Sequence, residues 1–141
     1  MNDPYKTGQF KENPYAQKSP IIAKSKVVLR GHYESRGLLL MAARSRAVQK
    51  YEIHELIASD EPEISPGTGA DKIAYLGFIE IRDGGVITVG DELIWNGRKI
   101  GKIAGFDETH FPNHLNIVVS VDTREDGTEL SLGLNEIVEI R

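Results

Sequence analysis

The sequence has no cysteine among its 141 residues. Disulfide frameworks, thiolate metal sites and cysteine nucleophiles are therefore excluded. Long hydrophobic runs are also missing: no stretch approaches the roughly 18 apolar residues of a membrane-spanning helix, and the N-terminus lacks the apolar segment of a signal peptide. We therefore expect a cytoplasmic protein that does not associate with membranes.

The chain has fewer basic than acidic residues. It contains 17 Lys and Arg residues and 21 Asp and Glu residues, which gives a formal net charge of −4. A protein that gains its affinity by neutralising phosphates along a duplex needs the opposite balance. Nucleic acid is therefore not expected as a partner. The sequence also contains no GxGxxG, Walker or GxSxG motif, so the common nucleotide-binding and serine-hydrolase signatures are missing.

What is present has the composition of an ordinary globular domain, with 40% hydrophobic and 27% charged residues in a chain that fits one core. Residues 1–20 contain three prolines and no periodic apolar pattern, which predicts an extended N-terminal tail before a domain of residues 21–141. The aromatic residues Tyr5, Phe10 and Tyr15 recur at five-residue spacing in this tail. We expect them to dock on a partner protein or on a second copy of the chain, because burying aromatic area stabilises association.

From residue 21 onwards, short runs rich in Val, Ile, Leu and Tyr alternate with Gly, Asn and Asp turns, which is typical of β-strands. Asn96-Gly97 between two apolar runs predicts a tight type I′ hairpin. The composition of residues 45–59 would tolerate a helix, but Tyr51, Ile53 and Ile57 alternate as in a strand, and we interpret the segment as a strand. The predicted strands are residues 26–33, 37–43, 48–57, 72–81, 86–89, 92–95, 99–105, 115–121 and 137–140.

These strands predict an all-β fold, because amphipathic helical periodicity is nearly absent. We predict a closed six-stranded Greek-key-like barrel with extra hairpin strands, since closure removes the exposed strand edges that an all-β protein must otherwise protect. The predicted core contains Val27, Leu29, Leu39, Ile53, Ile79, Ile103, Ile117, Val119 and Ile137.

Residues 84–119 also contain a recognisable succession of turns, strands and a loop. The Gly90-Asp91 turn leads into a hairpin, then a strand that ends at Gly105, a polar loop, and His114 at the start of an alternating apolar strand. This order resembles the second half of the glucitol/sorbitol-specific IIA component of the bacterial phosphotransferase system. The resemblance implies a six-stranded Greek-key barrel, but not the activity, because those carriers accept a phosphoryl group on a histidine where residues 74–81 contain none.

The chain also resembles members of a small bacterial family without an assigned function. The resemblance lies in the segments GHYESRGL, EIHEL, AYLGF and FDETHFPNHLNI. It implies no activity.

The densest cluster of reactive side chains lies in the polar loop of residues 107–114. Asp107, Glu108, His110 and His114 supply two carboxylates and two imidazoles, which are the usual ligands of zinc, manganese or iron when thiolate is missing. We predict a ligand site here, with a divalent metal held by His110 and His114 as one interpretation. In the alternative interpretation Asp107 caps a turn and His114 donates to a backbone carbonyl.

A second cluster lies in the glycine-bounded turn of residues 31–37, which displays His32, Glu34 and Arg36. A guanidinium is suited to hold a carboxylate or phosphate, although a surface ion pair between Glu34 and Arg36 would explain the same residues. We predict that this turn and the loop of residues 107–114 meet at one end of the barrel. His32 would then lie near His110 and complete a composite site.

Three functions follow from these features. The first is a non-catalytic binding or accessory subunit that associates through its tail, which is favoured by the missing phospho-acceptor. The second is a metal-dependent or acid–base enzyme that uses the loop with His110 and His114. The third is a phosphocarrier-like protein with His32, His54 or His114 as the acceptor, because phosphoryl capture needs an imidazole nitrogen.

Overall fold

A computed structural model describes residues 14–141. This part of the chain contains twelve β-strands and no helix, which confirms the predicted all-β class. None of the described residues forms a helix that is long and apolar enough to cross a membrane. The strands are β1 (Ile21–Val28), β2 (His32–Tyr33), β3 (Leu38–Leu39), β4 (Ser45–Val48), β5 (Ile53–Ser59), β6 (Gly69–Ala70), β7 (Ile73–Asp83), β8 (Gly85–Thr88), β9 (Glu92–Trp95), β10 (Arg98–Asp107), β11 (Asn116–Ser120) and β12 (Ile137–Ile140).

One large sheet joins its strands in the order β1, β12, β9, β10, β11, β5, β7 and β2. Because β1 also pairs with β7, the pairings close a ring through seven strands, and the predicted closed six-stranded barrel is not confirmed. Neighbouring strands in this sheet are antiparallel except for β5 and β11, which run parallel. Two further pairs, β3 with β6 and β4 with β8, form small separate sheets.

Local turn chemistry explains several boundaries between these strands. Asn96 and Gly97 have φ values of 50° and 79°, the two positive angles that a type I′ turn needs, and they join β9 to β10 as predicted. Residues 45–59 contain no helix, but the single strand predicted at 48–57 is wrong, because a turn between Val48 and Ile53 divides this segment into β4 and β5. Tyr51 in that turn has a φ of 75°.

The main core lies inside the ring, and a smaller core covers part of its outer face. Ile79, Ile103, Ile117 and Val119 are buried in the main core, as predicted. The smaller core contains Leu38, Leu40, Ile57, Ala70, Ile73, Ala104 and Val118. It forms where β3 and β6 pack over the outside of β5, β7, β10 and β11.

Four predicted core residues are exposed instead, with relative exposures of 40% for Val27, 67% for Leu39, 45% for Ile53 and 45% for Ile137. Leu29 is half-buried. The physical reason is strand alternation, since a shift of one residue moves a side chain to the other face. In β1, a register irregularity between Ser25 and Val27 produces such a shift.

Candidate acid–base site

Three buried polar residues form one row across adjacent strands on the outer face of the ring. Asp107 on β10 pairs with Asn116 on β11, and Asn116 pairs with Glu55 on β5. Their relative exposures are 2%, 0% and 7%. Because side chains alternate along a strand, Glu55 shares its face with Ile57 of the smaller core. These three polar side chains therefore lie on a buried part of the sheet face, where apolar side chains would be expected.

The loop of residues 108–115 places His114 over this row. The imidazole Nε2 of His114 lies 3.3 Å from Oε1 of Glu55, and the two side chains are 14% and 9% exposed. The ring of Phe78 packs edge-on against the imidazole, with 5.1 Å between ring centroids. The backbone N–H of Leu115 donates to Nδ1 of His54 over 3.0 Å, which anchors the end of the loop to β5. His114 is thus held between a buried carboxylate and an aromatic wall.

Exposed and half-buried groups form the rim of the site. The His110 ring lies with its centroid 5.1 Å from that of His114, and Nη2 of Arg36 donates to Nε2 of His110 over 3.2 Å. Since a guanidinium can only donate, this nitrogen of His110 carries no proton in the observed arrangement. The guanidinium of Arg46 lies 5.0 Å from the centre of the Phe111 ring and 3.5 Å from Oε2 of Glu108. The rim therefore carries two guanidinium groups, of which that of Arg46 is paired with the Glu108 carboxylate.

Burial sets the electrostatics of the buried pair. It raises the pKa of the Glu55 carboxyl, although the charge of Arg36, and that of His110 when it is protonated, act in the opposite direction. Burial also lowers the pKa of His114, a protonated His110 lowers it further, and Asn116 opposes both. The two pKa values are therefore shifted towards each other, and paired perturbed pKa values of this kind are concentrated at functional sites.

Both nitrogens of the His114 ring face groups that accept hydrogen bonds. Nδ1 lies 2.7 Å from Oδ1 of the exposed Asn113, and Nε2 faces Glu55. Asn116 influences the pKa of His114 in the upward direction, as an acceptor does, yet neither Nε2 of His114 nor Oδ1 of Asn116 has a hydrogen-bond partner. Acceptors at both nitrogens favour the protonated imidazolium. These acceptors offset part of the effect of burial, although the pKa of His114 stays below its ordinary value.

Comparison with known proteins identifies the family of this chain but no activity. Residues 15–141 match the model of a family of unknown function, DUF6917. The chain belongs to this family. No curated protein and no solved structure matches it. The predicted resemblance to a family without an assigned function is thereby confirmed, whereas no comparison shows a resemblance to the glucitol/sorbitol IIA component.

In this DUF6917 chain, the two clusters predicted from the sequence meet only in part. Arg36 reaches His110, so the turn and the loop do contact each other. His32 and Glu34 have other partners: Nε2 of His32 lies 2.5 Å from Oε1 of Glu129, and Nη2 of Arg124 donates to Oε1 of Glu34 over 2.9 Å. The composite site therefore contains Arg36 but is not completed by His32 or Glu34.

His32, Asp126 and Glu129 offer three possible metal-ligand atoms that lie within 4.8 Å of one another. Hydrogen bonds explain much of this cluster. The carboxylates of Asp126 and Glu129 each accept the other residue's backbone N–H, over 2.8 and 2.9 Å, as at the start of a helical turn. Asp126 also accepts the N–H of Gly31 over 2.7 Å. We interpret the cluster as the joint between this turn and β2.

The metal predicted at His110 and His114 stays a prediction. Among residues 14–141, no group of three His, Asp or Glu side chains with metal-ligand spacing includes either of them. The Arg36 guanidinium also occupies the lone pair of His110 Nε2 and repels a cation.

Sequence reasoning identifies Asp107, Glu108, His110, His114 and Arg36 but misses Glu55 and Asn116. It looks for function in loops, whereas these two residues lie within strands. One signal was available. Glu55 lies two residues from both Ile53 and Ile57 and so on the same strand face, and Asn116 lies likewise two residues from Val118. Each therefore places a polar group at a position where a buried strand is expected to be apolar.

Proposed function

We propose that this DUF6917 protein is an acid–base enzyme in which His114 accepts and returns a proton. Glu55 orients the imidazole and stabilises its positive charge. The observation that supports this role is the 3.3 Å contact between His114 Nε2 and the buried Glu55 carboxyl, with the other ring nitrogen beside the exposed Asn113. A buried carboxylate against one nitrogen, with the second nitrogen near the surface, is the arrangement of histidine general bases in unrelated enzymes.

The charges of the rim favour an anionic substrate. Arg36 has five N–H donors, of which one is directed at His110, so others remain for a carboxylate or a phosphate. Arg46 places a second guanidinium above the loop, with the Glu108 carboxylate 3.5 Å away offsetting its charge. A small molecule with such a group would be held beside His110 and His114.

Hydrolysis of activated esters tests this proposal directly. We expect the protein to hydrolyse p-nitrophenyl acetate and, with a lower KM, the anionic mono-p-nitrophenyl ester of succinate. In this reaction His114 takes a proton from water, the hydroxide adds to the ester carbonyl, p-nitrophenolate leaves, and the imidazolium returns its proton to solvent. His114→Ala should lower the rate at least about 100-fold, which is the usual contribution of a general base. Because the pKa of His114 is lowered, half of the maximal rate should be reached below pH 6.5.

The control is His32→Ala, which removes another exposed imidazole and should leave both rates unchanged. Arg36→Gln should raise the KM for the anionic ester and leave hydrolysis of the neutral ester unaffected. Equal losses in the His32 and His114 variants would mean that hydrolysis occurs at any surface histidine, and the proposal would then be wrong.

The accessory role is the second candidate, favoured by the course of residues 14–20 along the domain. Tyr15 donates its hydroxyl to Oγ of Ser45 over 3.3 Å, while Lys18 contacts the Asp91 carboxylate and donates to the carbonyl of Val86 over 3.1 Å. This segment is thus anchored to the fold. Tyr5 and Phe10, the other two aromatics of the prediction, lie outside the described residues.

For this role we expect that deleting residues 1–13 lowers the number of chains in the assembly, as measured by sedimentation. The deletion removes Tyr5 and Phe10 but keeps the contacts of Tyr15 and Lys18. A full-length variant with Tyr5→Ser and Phe10→Ser should show the same loss, since it removes the aromatic area alone. An unchanged number of chains per assembly in both proteins would argue against association of copies through the tail.

A further inference from the structure

Asn116 is fully buried, yet half of its carboxamide has no partner. Its Nδ2 donates to Oδ1 of Asp107 over 3.1 Å, while its Oδ1 has no hydrogen bond. Leaving a buried acceptor unpaired costs about 1 to 3 kcal/mol. Asn116 pairs directly with Glu55, and Oε1 of Glu55 lies 3.3 Å from Nε2 of His114, which is buried and also lacks a hydrogen bond. Oδ1 of Asn116 and Nε2 of His114 are therefore suited to share a hydrogen bond.

Asp107 determines which way this carboxamide is turned. Its Oδ2 accepts the N–H of Leu39 over 2.9 Å, and its Oδ1 accepts the N–H of Thr109 over 2.9 Å in addition to Asn116. Burial would raise the pKa of Asp107, but these hydrogen bonds outweigh it, so the pKa is lowered and the side chain stays ionised. An ionised carboxylate only accepts. Asn116 must therefore present Nδ2 to Asp107 and Oδ1 to the opposite side.

We infer that Asp107 and Asn116 are positioning residues that fix the tautomer of His114. Oδ1 of Asn116, together with Glu55, holds the imidazole proton on Nε2. Nδ1, which lies 2.7 Å from the carboxamide of Asn113, is then an acceptor, so in this tautomer the exposed Asn113 turns its Nδ2–H towards it. Nδ1 is also the nitrogen that exchanges protons at the surface. The use of this tautomer in catalysis rests on the function proposed above, but the tautomer itself does not.

Nitrogen NMR of the full-length chain labelled with ¹⁵N-histidine measures the tautomer without a substrate. The signals of His114 are assigned by their loss in a His114→Gln variant. At a pH where the ring is neutral, we expect the wild-type protein to carry the proton predominantly on Nε2. In Asp107→Asn the new amide can donate to Oδ1 of Asn116, so the carboxamide should reverse and the proton of His114 should move predominantly to Nδ1. In Asn116→Leu, which fills a similar volume without an acceptor, the Nε2 preference should weaken.

Asn113→Ala is the matched control, because Asn113 is exposed and lies against Nδ1; it should leave the proton on Nε2. If Asp107→Asn does not fold, Asn116→Leu alone decides. The same tautomer in the wild type and in every folded variant of Asp107 and Asn116 would overturn the inference. Should the tautomer follow Asn116 while His114→Ala retains full esterase activity, the proposed function fails and the positioning role stands.

Discussion

Replacing Gly77 with alanine is expected to lower the free energy of unfolding by about 3 kcal/mol or more, because overpacking of this kind lies at the upper end of its usual range. Gly77 lies on β7 and pairs with Val28 of β1 and with Leu56 of β5. An added Cβ would lie 2.2 Å from the carbonyl oxygen of Val27 and 3.2 Å from Cη2 of Trp95. The nearer atom is backbone, so no side-chain rotation can relieve the clash. The strands β1 and β7 would have to separate at the point where they close the ring.

Thermal unfolding measures this effect, and a loss of about 3 kcal/mol corresponds to a fall in Tm of roughly 10 °C for a domain of this size. Gly85→Ala is the matched control. Its Cβ would meet Cδ1 of Ile21 at 3.1 Å, the movable end of a side chain, and we expect a loss below about 1 kcal/mol. Equal losses in the two variants would contradict a dominant role for the clash with the Val27 carbonyl, because the entropy of the unfolded chain alone favours alanine over glycine.

Trp95→Ala is expected to cost about 3 to 5 kcal/mol, the range for removing a large aromatic side chain from a core. Trp95 is 1% exposed inside the ring, and its Nε1–H donates to Oε1 of Glu136 over 3.0 Å. Truncation would therefore leave a cavity and remove the donor from a carboxylate that links β9 to the segment before β12.

Chemical denaturation of Trp95→Ala and Trp95→Phe separates these two contributions. Phenylalanine keeps most of the packing and loses the hydrogen bond, so we expect it to cost about 1 to 2 kcal/mol. Nearly equal losses in the two variants would contradict a role dominated by packing.

The strands from β7 onwards could largely be predicted, because each is an apolar run bounded by turn residues. Asn96-Gly97 is an example in which the residue types determine the backbone angles. The core was harder to predict. Leu38, Leu39 and Leu40 are adjacent and equally apolar, yet the middle one is exposed, because pairing with β6 fixes which neighbours face inward. Such a register depends on residues distant in sequence.

The candidate site shows the same limit. His110, His114 and Arg36 could be selected because their side chains are reactive and lie in loops. Glu55 and Asn116 are brought beside each other by a parallel pairing of β5 and β11, between segments that are 61 residues apart at this point. No local pattern in the sequence marks a parallel pairing of this kind. His32 was assigned to the site because it precedes Arg36 closely, but the two residues point to different partners.

The pairing of β1 with β12 and β7 has a consequence for synthesis. A ribosome makes β1, which ends at Val28, long before its partner β12, which begins at Ile137. Until β12 has emerged, β1 has at least one open edge, and unpaired edges promote aggregation. Contacts this distant in sequence also slow folding. We therefore expect newly made chains to depend on chaperones until β12 is free to pair.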